Sequence, residues 1–63
     1  MDYYEIMTEV NRQGGVESLA DKLGKSRQNM YHHLRKLKEG SIKLNILIAI
    51  LDKLGLEIVI RHK

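Results

Sequence analysis

Three consecutive side chains, Arg27, Gln28 and Asn29, are of the types that form specific hydrogen bonds with the edges of nucleic-acid bases. Arg pairs bidentately with guanine, and Asn and Gln pair bidentately with adenine. The three follow Ser26, a residue type favoured at the N-cap of a helix. We therefore expect them in the exposed first turn of that helix, the position from which a helix docked in the DNA major groove contacts base edges.

Positive charge is concentrated around these residues. Residues 25–43 hold six basic residues and one acidic residue, a net charge of +5, whereas residues 1–24 carry −3 and the remainder +1. Such a block is the electrostatic footprint expected where a polyanion binds. A solvated face of a basic helix would have the same composition, so the charge alone leaves both interpretations open.

Other chemistry has weaker support. His32 and His33, with His62, could suggest a metal site or a general base, but the chain has no Cys, no His pair at i,i+4 spacing and no carboxylate near them. Gly14-Gly15 lacks the further glycines and the Lys of a phosphate loop. We expect no metal, no cofactor and no enzymatic activity. His32 is expected to contact the groove, and His33 to lie half-buried against a helix interface.

Four helices are expected to position these side chains. In the first, capped by Asp2 with Glu5, apolar residues recur at i, i+3, i+4 and i+7, which places them on one face. Glycines end the first, second and fourth helices, and Glu39-Gly40-Ser41 forms the turn after the third. The predicted helices span roughly 3–12, 16–23, 27–38 and either 41 or 43 to 55.

The fourth helix and the residues after it predict self-association. At ~100° per residue, apolar side chains cover about 200° of this helix, twice the stripe of an ordinary surface helix. Residues 56–61 alternate in the manner of a β-strand that has no partner within the chain. A chain of 63 residues without disulfides usually needs a partner to complete its core. The expected dimer interface, at about 43–61, contains Ile46, Ile50, Leu54, Leu56, Ile58, Val59 and Ile60.

The second and third helices have the features of a helix-turn-helix at about 16–37. Ala20 is small where two helices cross closely, and Gly24 stands four residues later, where the turn requires a positive φ. Leu19, Leu23 and Met30 are placed to lock the two helices together.

These residues resemble the helix-turn-helix of the Xre/Cro/C1 class of lambdoid phage repressors and related bacterial regulators. The similar stretches are ESLADKLG at 17–24, SRQNM at 26–30, and LNILIAILDKLGLEIVI at 44–60, which resembles the C-terminal helix and strand of small antitoxin-like members. Lys25 and His33 depart from the pattern of the class, and the third helix is about one turn longer. By resemblance, Arg27, Gln28, Asn29 and His32 would contact bases. The phosphate contacts would be Ser26, Arg35 and the nearby lysines Lys25, Lys36, Lys38 and Lys43. Tyr31, next to this basic run, is expected either to contact a phosphate or to pack within the fold.

The resemblance implies a mainly α, lambda-repressor-like bundle of about four helices, a single domain at 1–63 with a C-terminal strand that pairs across a dimer. We expect a homodimeric transcriptional repressor that binds a palindromic operator in double-stranded DNA, whether Cro-like or regulating its own operon. The alternatives are an antitoxin whose main role is to neutralise a toxin protein, and an RNA-binding or structural role. Without a secretory signal or an apolar run long enough for a membrane span, the expected location is the cytoplasm, in a bacterial or phage-encoded setting.

Overall fold

The computed structural model describes residues 2–57, which fold into four α-helices. The fold is mainly helical, as the sequence predicts. Within residues 2–57 no β-strand occurs, and the predicted strand has only Leu56 and Glu57 in this part of the chain. Its remaining residues, 58–61, lie outside the described residues, so the strand stays a prediction. The helices are α1 (Tyr3–Arg12), α2 (Gly15–Leu23), α3 (Arg27–Glu39) and α4 (Leu44–Leu54).

Both predicted side-chain caps are present. The carboxylate of Asp2 accepts a hydrogen bond from the backbone N–H of Glu5 at 2.9 Å, which begins α1. The hydroxyl of Ser26 accepts one from the N–H of Asn29 at 3.1 Å, which begins α3. Each bond satisfies an N–H that has no partner inside its helix, and a cap of this kind stabilises by roughly 1 kcal/mol.

The turn between α2 and α3 is closed by backbone hydrogen bonds around Gly24. This glycine has φ +66°, so the predicted left-handed conformation is confirmed. The N–H of Lys25 donates to the carbonyl of Ala20 at 2.9 Å, and the N–H of Gly24 donates to Asp21 at 3.2 Å. A β-carbon at position 24 would be strained because L-residues other than glycine rarely adopt this φ. The turn therefore fixes the direction in which α3 leaves α2.

One hydrophobic core joins all four helices. α2 packs against α1, α3 and α4, and α1 also packs against α4. Ala20 is buried where α2 meets its neighbours, and the small side chain permits that close approach. The buried residues are Ile6, Val10, Leu19, Ala20, Met30, Leu34, Ile50, Leu51 and Leu54.

The structure corrects the expected dimer interface on α4. Ile50 is 0% exposed and Leu54 is 5% exposed, so both belong to the core of the subunit and have no surface to offer to a second copy. The apolar arc of α4 is wide because α1 and α2 both pack against it. The surplus apolar surface lies instead at Leu44 and Ile48, which are 64% and 51% exposed. Ile46 and Leu56 are half-buried.

Gln13 connects the carboxyl ends of α1 and α4, a contact for which the sequence carries no signal. Its Nε2 donates to the Glu9 carboxylate at 2.8 Å and to the Leu54 carbonyl at 2.9 Å. The Lys22 ammonium donates weakly to Gln13 Oε1 at 3.4 Å. Hydrogen bonds from Arg12 and Gln13 lower the pKa of Glu9 to about 2. Gln13 thus satisfies an end carbonyl of α4 that has no partner within the helix.

Replacing Gln13 by Ala is expected to lower the free energy of unfolding by about 1 kcal/mol, because the Leu54 carbonyl loses a side-chain donor. Urea unfolding followed by circular dichroism measures the change. Asn11→Ala, which removes an exposed amide from the same helix, is the matched control and should leave stability nearly unchanged. Equal midpoints for the two variants would contradict a bridging role for Gln13.

Candidate nucleic-acid interface

The first turn of α3 presents three polar side chains to solvent. Arg27, Gln28 and Asn29 are all exposed, whereas Met30 in the next turn and Leu34 one turn beyond it are buried. The burial of those two residues fixes the rotation of α3 about its axis. The first turn contains no acidic residue, so the positive end of the helix dipole reinforces the positive charge of Arg27.

A stripe of exposed side chains continues from this turn along α3. At about 100° per residue, Gln28, His32 and Arg35 lie within about 60° of one another on the helix surface. All three are exposed. Arg35, which the resemblance assigns to phosphates, therefore shares a face with the residues expected to contact bases. This exposed surface is called the reading face and consists of Arg27, Gln28, Asn29, His32 and Arg35.

An ion pair joins the amino-terminal ends of the two helices of the motif. The guanidinium of Arg27 lies 4.0 Å from the carboxylate of Glu17 in the first turn of α2. Both side chains are exposed, so the pair contributes little to stability. The pair places a carboxylate beside the reading face. Sequence reasoning missed Glu17 because ten residues separate it from Arg27, and no helical spacing relates two different helices.

A basic cleft of about 400 Å³ lies between α3 and the start of α4. Among the described residues that line it, four have basic side chains and none is acidic. The amino-terminal end of α4 opens into it, where Lys43 occupies the N-cap and makes no side-chain capping hydrogen bond. A helix end with that arrangement favours an anion. This α4 cleft is lined by His32, His33, Lys36, Ser41, Ile42, Lys43, Asn45 and Ile46.

The pKa of His33, which lines the α4 cleft, is lowered by its surroundings. Burial lowers this pKa below the ordinary value of 6.5, and the positive charge of Lys25, with a smaller contribution from His32, lowers it further. His33 is half-buried, as expected. Because the Lys25 charge accounts for part of the shift, an anion bound beside the ring would oppose that part.

A second cleft, of about 340 Å³, lies between α1 and α3. Tyr31, Arg35 and Lys38 of α3 line it on one side. The ammonium of Lys38 lies 5.8 Å from the centre of the Tyr3 ring, which is a cation–π contact. Tyr3 and Met7 of α1 and the buried Leu34 complete the lining of this α1 cleft.

The structure thus divides the residues expected at phosphates into separate groups. Lys36 and Lys43 line the α4 cleft, and Tyr31, Arg35 and Lys38 line the α1 cleft, with Arg35 also on the reading face. Lys25 and Ser26 lie before the first turn of α3, and Lys25 is half-buried. Cations therefore border the reading face on both sides. Spacing along one helix did not reveal this division because it depends on where α1 and α4 pack.

Two further features concern the described residues only, namely groups of metal ligands and helices able to span a membrane. Residues 2–57 contain no group of three His, Cys, Asp or Glu side chains that could hold a metal ion. His62, the third member of the histidine set considered above, lies outside the described residues. Among the four helices that the structure describes, none has the length and apolar character needed to cross a membrane.

Comparison with known proteins gives no match: neither a protein-family profile, nor a curated protein, nor a solved structure matches this chain. The features of the chain that indicate a function are therefore the reading face and the cations on its two flanks.

The lowered pKa of His33 predicts a loss of stability in mild acid. At pH 8 the ring is neutral in both the folded and the unfolded chain. As the pH falls through 6.5 the unfolded chain takes up the proton first, so the free energy of unfolding decreases until the pH falls below the lower pKa of the folded state.

Urea unfolding at a series of pH values between 8 and 5 measures this loss. His33→Gln should reduce it, whereas His32→Gln, the exposed neighbour, should retain most of it. The imidazole proton resonance of His33 should titrate with a midpoint below 6.5. A midpoint at or above that value would contradict both the burial of the ring and the effect of the Lys25 charge on it.

Proposed function

We propose that the chain is a sequence-specific DNA-binding transcriptional repressor that inserts the amino-terminal end of α3 into the major groove. The observation that carries the proposal is the first turn of α3, where the Ser26 cap leaves Arg27, Gln28 and Asn29 exposed together. Bidentate pairing of such side chains with guanine and adenine supplies sequence discrimination. His32, one helical turn further along the same face, extends the readout.

The cations on the two flanks of α3 support this mode of docking. The major groove is about 12 Å wide and is bordered by a phosphate backbone on each side. With α3 in the groove, Lys36 and Lys43 approach one backbone from the α4 cleft. Lys38 approaches the other from the α1 cleft. Contacts of this kind fix the position of the protein on the duplex without reading its sequence.

Repression by occupancy requires a long residence on the operator, and a homodimer on a palindromic site provides it. Two copies related by a two-fold axis place their α3 helices in successive major grooves about 34 Å apart. The surface proposed for pairing comprises Ile46, Leu56 and the exposed Leu44 and Ile48, followed by the predicted strand at 56–61. Ile58, Val59 and Ile60 belong to the part of that strand outside the described residues.

The exposed Leu44 and Ile48 also favour a second candidate, an antitoxin that covers a toxin protein with this surface. Apolar side chains exposed side by side on a helix mark a protein-binding face. Light scattering on the purified chain separates the two candidates. A dimer at micromolar concentration assigns the face to self-association, whereas a monomer leaves it for a different protein.

Base reading predicts the effect of two substitutions. Arg27→Ala and Gln28→Ala should each weaken operator binding by about 1–3 kcal/mol and relax the preference at particular base pairs. The operator is selected from random DNA with the wild-type chain, and affinities follow from fluorescence anisotropy. Asn11→Ala, which removes an exposed amide from α1, should bind like the wild type. Unchanged selectivity in Gln28→Ala would exclude Gln28 from base reading.

Phosphate contacts predict a different signature. Lys36→Gln and Lys43→Gln should each reduce the slope of log affinity against log salt by about 0.9. They should weaken specific and non-specific DNA to the same extent. Lys53→Gln makes the same change of charge at the opposite end of α4 and should leave the slope unaltered. A loss confined to one DNA sequence would show that Lys36 or Lys43 reads bases instead.

A further inference from the structure

The α1 cleft combines aromatic, cationic and apolar side chains in a way that phosphate contact alone does not require. Its floor is apolar, formed by the half-buried Met7 and the buried Leu34. Tyr31 lies at its edge with 56% of its surface exposed. A ring that stays this exposed contributes little hydrophobic stabilisation to the folded chain. A cleft of about 340 Å³ is at the small end of the range of ligand sites.

The side chains of α3 that line the cleft are aromatic toward the amino-terminal end of the helix and cationic toward its carboxyl-terminal end. Tyr31, Arg35 and Lys38 follow one another at spacings of four and three residues, so they lie on one side of the helix. The aromatic ring comes first and the two cations follow, and none of the described residues that line the cleft is acidic. Across the cleft the Tyr3 ring is held edge-on by Tyr4, at 5.3 Å between centroids and 79° between planes.

We propose that the α1 cleft binds a small aromatic anion, of the size and chemistry of a nucleoside monophosphate. The planar ring stacks on Tyr31 over the floor formed by Met7 and Leu34. The anionic group accepts hydrogen bonds from Arg35 and Lys38, and Arg offers the bidentate geometry that suits a phosphate. Lys38 already lies over the Tyr3 ring, so its charge is held at the cleft before the ligand arrives.

The test uses the full chain without DNA, so it is independent of the proposed function. Adenosine 5′-monophosphate, adenosine and inorganic phosphate are titrated separately and followed by amide chemical shifts. The monophosphate should bind with a Kd of about 0.1–1 mM and shift the residues around Met7 and Tyr31. Adenosine and phosphate should each bind at least about tenfold more weakly, because each makes only part of the contacts.

Variants distinguish the cleft from general attraction of anions to a basic chain. Tyr31→Ala and Lys38→Gln should each weaken the monophosphate at least about fivefold, whereas Tyr31→Phe should retain binding because the ring is kept. The control is Lys53→Gln, which removes one positive charge from α4, outside the lining of the cleft. Binding as tight by phosphate as by the monophosphate, wild-type affinity in Tyr31→Ala, or shifts confined to the α4 cleft would each overturn the proposal.

Arg35 belongs both to the α1 cleft and to the reading face, which couples the ligand to DNA if the proposed function holds. An anion that engages Arg35 withdraws it from the duplex, so saturating monophosphate should weaken operator binding at least about fivefold. Adenosine at the same concentration should have no effect. An unchanged operator affinity would overturn the coupling, while the DNA-free titration decides the site itself.

Discussion

The close crossing of α2 and α3 is the constraint on which the arrangement of this molecule depends. Its geometry comes from a buried alanine, a left-handed glycine and one backbone hydrogen bond, from Lys25 to Ala20, at 2.9 Å. α3 makes its most extensive packing contact with α2, and α1 and α4 lie beside it across open clefts. Because the turn at Gly24 sets the direction of α3, it also sets which of its side chains reach solvent.

Because α3 packs mainly against α2, much of the rest of its surface stays exposed. A helix packed on all sides would have no exposed face to insert into a groove, and one packed on none would have no fixed orientation. In this chain the burial of Met30 and Leu34 suffices to orient α3, while the clefts on its two sides give cations and aromatic rings access to ligands. The two proposed binding activities therefore depend on the same packing of α3.

Features determined by neighbours in the chain were predictable from the sequence. The caps at Asp2 and Ser26 and the positive φ at Gly24 follow from residue types at fixed local spacing. Features that depend on how helices pack were not. Ile50 and Leu54 were assigned to a dimer interface because periodicity measures the width of an apolar arc and does not show how many helices cover it. The ion pair of Arg27 with Glu17 and the bridge made by Gln13 likewise join different helices.

The cations beside one flank of α3 are the feature hardest to explain as structure alone. Lys36 and Lys43 line the α4 cleft with His33, and the charge of Lys25 adds to burial in lowering the pKa of that ring. A lysine at the N-cap of α4 replaces the side-chain oxygen that would satisfy that helix end. Natural sequences break local rules of this kind mainly at functional sites. In the proposed complex, a phosphate would occupy the uncapped end of α4 and pair with Lys36 or Lys43, so the proposal gives these residues a role that packing within the chain does not.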